Sequence, residues 1–245
     1  MSSLTLLCAS TILDAVDGRQ IDAEDLTEGR ALFVHMLDTP HPVSTACGSA
    51  AVHKMLAAGA IPLQSCQEQL LQTIQQATSS LSSTNSSSLI RQSEQYVLVT
   101  LQHAVAALAS YILRDHLTTA AMPVLLNLLQ LQAPRFGYLP QASRDIRVQL
   151  DSKARVLSSV QNMVLSILQR FCHGTTGRQA IAAAGGIQVL LAGAEGTDWY
   201  TDKWSDCTAG GFCLLCGLTQ DPAVIEEVVQ AGAVDVLLHK MHPTA

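Results

Sequence analysis

The chain has 245 residues, 48% of them hydrophobic and only 4% aromatic, with 14 basic against 20 acidic residues and a formal net charge of −6. That length and apolar content allow a substantial core, whereas the acidic balance and the lack of any Lys/Arg run exclude a phosphate-binding footprint, so nucleic acid is not an expected partner. No stretch approaches the ~18 apolar residues that cross a bilayer, so no membrane insertion is expected. The seven cysteines, an odd number outside any disulfide-framework spacing, indicate a reducing compartment, cytoplasmic or nuclear.

The amino-terminal stretch MSSLTLLCASTILDAVDGR lacks a basic residue ahead of its apolar part and carries Asp14, unlike a secretory signal. Residues 3–16 and 24–37 read as two amphipathic helices, an atypical cap over 1–42. Pro40 and Pro42 break the chain. Helices are then expected over 43–58 and 61–77, and the run TSSLSSTNSSS (78–88) is expected to be a loop, because it has too little apolar surface to order itself. A long helix follows over 90–114 and another over 122–131. An irregular stretch through Pro134, Gly137 and Pro140 is expected to about Arg147, after which Asp151 is positioned to cap a helix running to Gly174. The remaining expected elements are 178–194, a loop at 195–202, a helix to Leu218, and a final pair over 222–241.

The third and fourth parts of this series are related. Residues 177–191 read GRQAIAAAGGIQVLL and residues 224–238 read VIEEVVQAGAVDVLL, 47 positions apart. Ile181 falls on Val228, Gly185 on Gly232, Ile187 on Val234, and Leu190/Leu191 on Leu237/Leu238. The glycine suits a left-handed corner between two helices, and the apolar residues after it form one helical stripe. Weaker copies occur around Ile61 (MLAAGAIPL) and Met122 (HLTTAAMPVLLNLL), each followed by a proline suited to a first helical turn.

In these residues the chain resembles the armadillo repeat, with a HEAT-type helical repeat as the neighbouring pattern. The resemblance implies an all-α, right-handed α-solenoid of about four repeats, at 43–113, 114–172, 177–219 and a partial one at 222–242, in one continuous domain over 43–245. The first two repeats are longer than the usual ~40–47 residues, so insertions are expected at 78–89, 132–150 and 195–202 along one edge. The function implied is a non-catalytic scaffold or structural subunit of a larger assembly. The alternative is an importin-alpha-like transport receptor or adaptor for a peptide cargo. Such receptors grip basic peptides with a Trp and Asn ladder, where this chain has Ala106, Asn162 and Gly210 and Ser110, Ser166 and Leu214.

No residues favour catalysis or a cofactor. No nucleophile stands beside a base and an orienting group, and AAAGGIQ lacks the Lys-Ser/Thr of a phosphate loop. Cys213-x-x-Cys216 has the spacing of a zinc or redox pair, yet in TAGGFCLLCGL both cysteines are expected in the core, so no metal site is assigned. The candidate partner-binding residues are Trp199, Tyr200 and Trp204, an aromatic cluster on an inserted segment, together with Val236 and His239 on the last helix. The final repeat places Val224, Ile225, Val228, Val229, Val234, Val236, Leu237 and Leu238 in fifteen residues with no third helix after them. Part of that set is expected to pack inward and part to face a partner protein, with Val236 on the surface.

Overall fold

The computed structural model describes residues 26, 28–39, 41–83, 92–111, 119–131, 144–195 and 206–241. Among them are eleven α-helices and no strand. In chain order these are α1 (Arg30–Leu37), α2 (Pro42–Ala57), α3 (Gln67–Ser83), α4 (Gln92–Tyr111), α5 (Ala121–Leu129), α6 (Arg144–Phe171), α7 (Thr175–Ala183), α8 (Gly186–Glu195), α9 (Asp206–Leu218), α10 (Pro222–Gln230) and α11 (Ala233–Met241). A short 3-10 turn, Leu63–Ser65, precedes α3. The contacts divide the chain into two compact units, one of residues 1–116 and 131–160, the other of 117–130 and 161–245.

In the first unit α2 is the centre, packed by α1 and α4, with α3 against α4. Its small residues make that position tolerable on every side: Ala46, Cys47, Gly48, Ser49, Ala50 and Ala51 are all buried beside Val52, Met55 and Leu56. At Gly48 a Cβ would lie 2.7 Å from the Phe33 carbonyl oxygen, so the backbone of α1 rests directly on α2. Pro42 opens α2 at a position where its missing N–H costs no helical bond. Leu70, Ile74, Leu101, Val105 and Leu108 complete the core from α3 and α4, each worth about 1.5–3 kcal/mol in burial. Half-buried Lys153 of α6 pairs with the buried Glu94 carboxylate of α4 at 3.7 Å.

Two expectations are corrected by these helices. The Ser-rich run is helical through Ser83: Thr78, Ser79, Ser80 and Ser82 each donate a hydroxyl hydrogen to the carbonyl four residues back, at 2.7–3.0 Å. Ala77, Thr78 and Leu81 meanwhile extend the buried stripe begun by Ile74, so the polar composition conceals a one-sided apolar face. The rest of that run, 84–88, lies outside the described residues. Asp151 is not a cap either, since α6 begins seven residues earlier at Arg144 and carries Asp151 in its interior.

In the second unit α8 is packed by α5, α7, α9 and α11, and α10 lies against α7, α9 and α11. Polar side chains close the ends of helices: Gln161 donates to the Leu128 and Leu129 carbonyls at the end of α5, and Arg178 donates to the Cys172 carbonyl just past α6 at 2.6 Å. At Gly177 a Cβ would stand 2.1 Å from the Phe171 carbonyl oxygen, which makes glycine obligatory where α7 folds back on α6. Gly210 and Gly217 of α9 pack on Leu165 and Cys172, with Leu214 buried between them at helical spacing.

The register found in the sequence reappears in the backbone. Gly59, Gly185 and Gly232 are the described residues with positive φ, at 73°, 80° and 85°, and each stands two positions before an aligned corner residue, Ile61, Ile187 or Val234. Each donates its N–H to the carbonyl three residues back, to Leu56, Ala182 and Val229 respectively, the bond that closes a helix through a left-handed cap. The copy around Met122 differs. Ala120 holds the equivalent place at φ −59°, an ordinary right-handed turn.

Candidate interaction surface

The last hairpin is built by short-range rules. Asp221, buried, accepts the Ala223 N–H at 3.0 Å and so caps α10, and its other oxygen accepts from Gln179 of α7 at 3.2 Å. Gly232 then turns the chain into α11. Val224 and Val228 of α10 and Ala233 and Val236 of α11 point inward and are buried. The opposite faces carry Ile225 and Val229 on α10 and Val234 and Leu238 on α11, each pair four residues apart, with exposures of 41%, 54%, 49% and 52%. Leu32 is the one other large exposed apolar side chain among the described residues. Glu226, Glu227 and Asp235 are exposed beside the four.

Comparison with the preceding hairpin shows why these positions stand out. Shifted back by 47 residues, Val229, Val234 and Leu238 become Ala182, Ile187 and Leu191, all of them buried. There α7 is packed by α10, and α8 by α9 and α11. On α10 and α11 the same positions lack a following pair of helices among the described residues.

The sequence-chosen site residues fare unevenly. Val236 is corrected: it is 8% exposed and belongs to the inner face, because the outward phase of α11 runs through Val234 and Leu238. His239 lies on α11, where its backbone alone is described, as is that of Leu237. Trp199, Tyr200 and Trp204 lie outside the described residues. The residues missed as a set, Ile225, Val229, Val234 and Leu238, all belong to the apolar inventory of the last hairpin. Val229, Val234 and Leu238 stand in register with the buried Ala182, Ile187 and Leu191, whereas Val236 aligns with half-buried Val189 and Ile225 with Arg178.

The thiols and imidazoles occupy different surroundings. Cys213 and Cys216 are exposed, not in the core: the inward positions of α9 are taken by Leu214, Leu215 and Leu218, leaving 213 and 216 on the remaining face. No group of three or more His, Cys, Asp or Glu with metal-holding geometry occurs among the described residues. Burial pushes the thiols of Cys66 and Cys172 up to about 11, opposed at Cys66 by a hydrogen bond from Ser65 and the charge of Arg30, and at Cys172 by Arg178. Such thiols are poor nucleophiles. His53 of α2 and His103 of α4 meet Nδ1 to Nδ1 at 3.3 Å with ring centres 5.6 Å apart. The centres exceed the nitrogen distance by about two ring radii, so the nitrogens face each other along one line, as in an N–H···N bond and unlike two lone pairs converging on an ion.

No helix of the described chain is long and apolar enough to cross a membrane. No family model, no curated protein and no solved structure matches the chain.

Proposed function

We propose that this chain is a non-catalytic interaction module, an armadillo-like right-handed helical solenoid that serves as a scaffold or structural subunit of a larger assembly and docks a partner protein on its last hairpin. The observation that carries the reading is the quartet Ile225, Val229, Val234 and Leu238, exposed on adjoining helices. Exposed aliphatic side chains grouped in this way are a mark of association rather than of a finished surface. The corner glycines at constant register support the repeat half of the proposal.

The test is a Val229→Asp/Leu238→Asp double variant of the full chain. Because both side chains are half exposed, the melting temperature is expected to stay within about 2 °C of the parent. A stoichiometric partner recovered from native cells with the parent chain is expected to be lost with the variant. Recovery of the same proteins in the same amounts would overturn the assignment of this face.

A further inference from the structure

The last hairpin differs from the one before it in charge as well as in cover, and the two differences together describe the partner. At the positions of exposed Glu226, Glu227 and Asp235 the preceding hairpin has Gln179, Ala180 and Gln188. The hairpin covered within this chain is therefore neutral at these three places, and the uncovered one carries an acidic group at each. In the first case α10 lies on α7, and α11 lies on α8 beside α9, so another hairpin forms part of the cover.

Resting on the docking surface proposed above, we infer that the α10–α11 face receives a pair of antiparallel helices from a different protein, stacked on it as a further repeat, with aliphatic side chains on its contact face and Lys or Arg at its rim. Two features select this occupant. The aliphatic positions Val229, Val234 and Leu238 match positions that are buried on α7 and α8, the helices on which α10 and α11 lie, so the face has the layout of one that carries two helices, not a single extended strand. The acidic trio disfavours a second copy of this chain using the same face, because a two-fold contact sets this face against itself, one acidic rim against another. A basic rim turns the same three groups from a penalty into complementarity that speeds encounter and selects the partner.

The experiment places a photo-crosslinking benzoyl-phenylalanine at position 229, and separately at 238, in the full chain expressed in its native cells, and sequences the linked peptides. It is repeated with Glu226→Lys/Glu227→Lys/Asp235→Lys in the same chain, whose folding is checked by its melting temperature. The expected result is that 229 and 238 link to two segments of one other protein. Both segments should show aliphatic residues at three- and four-residue spacing with flanking Lys or Arg. The charge-reversed chain should give about tenfold less of both products. Links to a single extended segment, or yields indifferent to charge reversal, would overturn the helical, basic partner while leaving the docking face standing. Links only to this same chain would overturn the foreign partner in favour of self-association. No link from either position would overturn the inference together with the docking face beneath it.

Discussion

The hairpins α7–α8 and α10–α11 share a register, a glycine corner with nearly the same φ, and an apolar stripe after that corner, yet one is buried where the other is half exposed. Ile187 and Val234 make the contrast sharpest. Local pattern sets which residues share a helix face; whether that face is buried depends on whether something lies beyond it. These two hairpins make this separable, because the same pattern recurs within one chain with different exposure.

The largest effect of adding a single methyl group is expected at a place where the two hairpins are not alike. Gly177 aligns with Val224, a buried valine, but its own Cβ site is occupied by the Phe171 carbonyl. Gly177→Ala is expected to cost about 2–4 kcal/mol by forcing α7 off the end of α6, measured by chemical unfolding. A cost under about 0.5 kcal/mol would contradict the backbone-to-backbone contact of these helices.

Cover is tested directly by Ile187→Ala and Val234→Ala. The first is expected to lose about 2–4 kcal/mol and the second less than about 1 kcal/mol, although the residues are equivalent in sequence. Equal losses would mean that Val234 is covered. Val236→Asp provides the control within α11, since a buried carboxylate there should unfold the hairpin where Val234→Asp should not.

Substituting the corners tests what the hairpins have in common. Gly185→Val and Gly232→Val place a β-branched residue at φ near +80° and are each expected to cost about 1–3 kcal/mol, alike despite the difference in cover. Ala120→Gly at the right-handed corner should instead be mildly unfavourable, by about 1 kcal/mol or less.

The smallest effect concerns thiols. At pH 8, alkylation should modify Cys213 and Cys216 quickly and Cys66 and Cys172 only on unfolding. Folding raises the thiols of Cys66 and Cys172 from 9.0 to about 11. The folded state therefore holds more protons on these two thiols than the unfolded state between those values, so their contribution to stability is level below pH 9 and falls as pH rises toward 11. Cys66→Ala/Cys172→Ala should flatten that decline.

Much of the fold was legible because the corner signal is chemical: a glycine between two apolar periods matches the left-handed backbone that ends a helix, and 59, 185 and 232 all proved left-handed. Pro222 likewise stands at the first position of its helix, whereas Pro42, expected to break the chain before a helix over 43–58, opens the helix itself. In the Ser-rich segment polar composition hides the helical phase, which Leu81, four residues after Ala77, carries. Asp151 was misread because a capping residue type is also tolerated inside a helix. At the candidate surface, membership of the apolar set was legible and direction was not, since Val234 and Val236 differ only in which side of α11 they occupy.

The facing imidazoles of His53 and His103 leave their mark in tautomers. A line of Nδ1 to Nδ1 holds one hydrogen, so of two neutral rings one must carry its hydrogen on Nδ1 and the other on Nε2. Two chemically identical side chains thereby become distinct species, one donor and one acceptor, and the join between α2 and α4 acquires a direction that the backbone alone does not have. Nitrogen chemical shifts would read it as two ring patterns, one of each tautomer, where independent histidines would favour the same form twice.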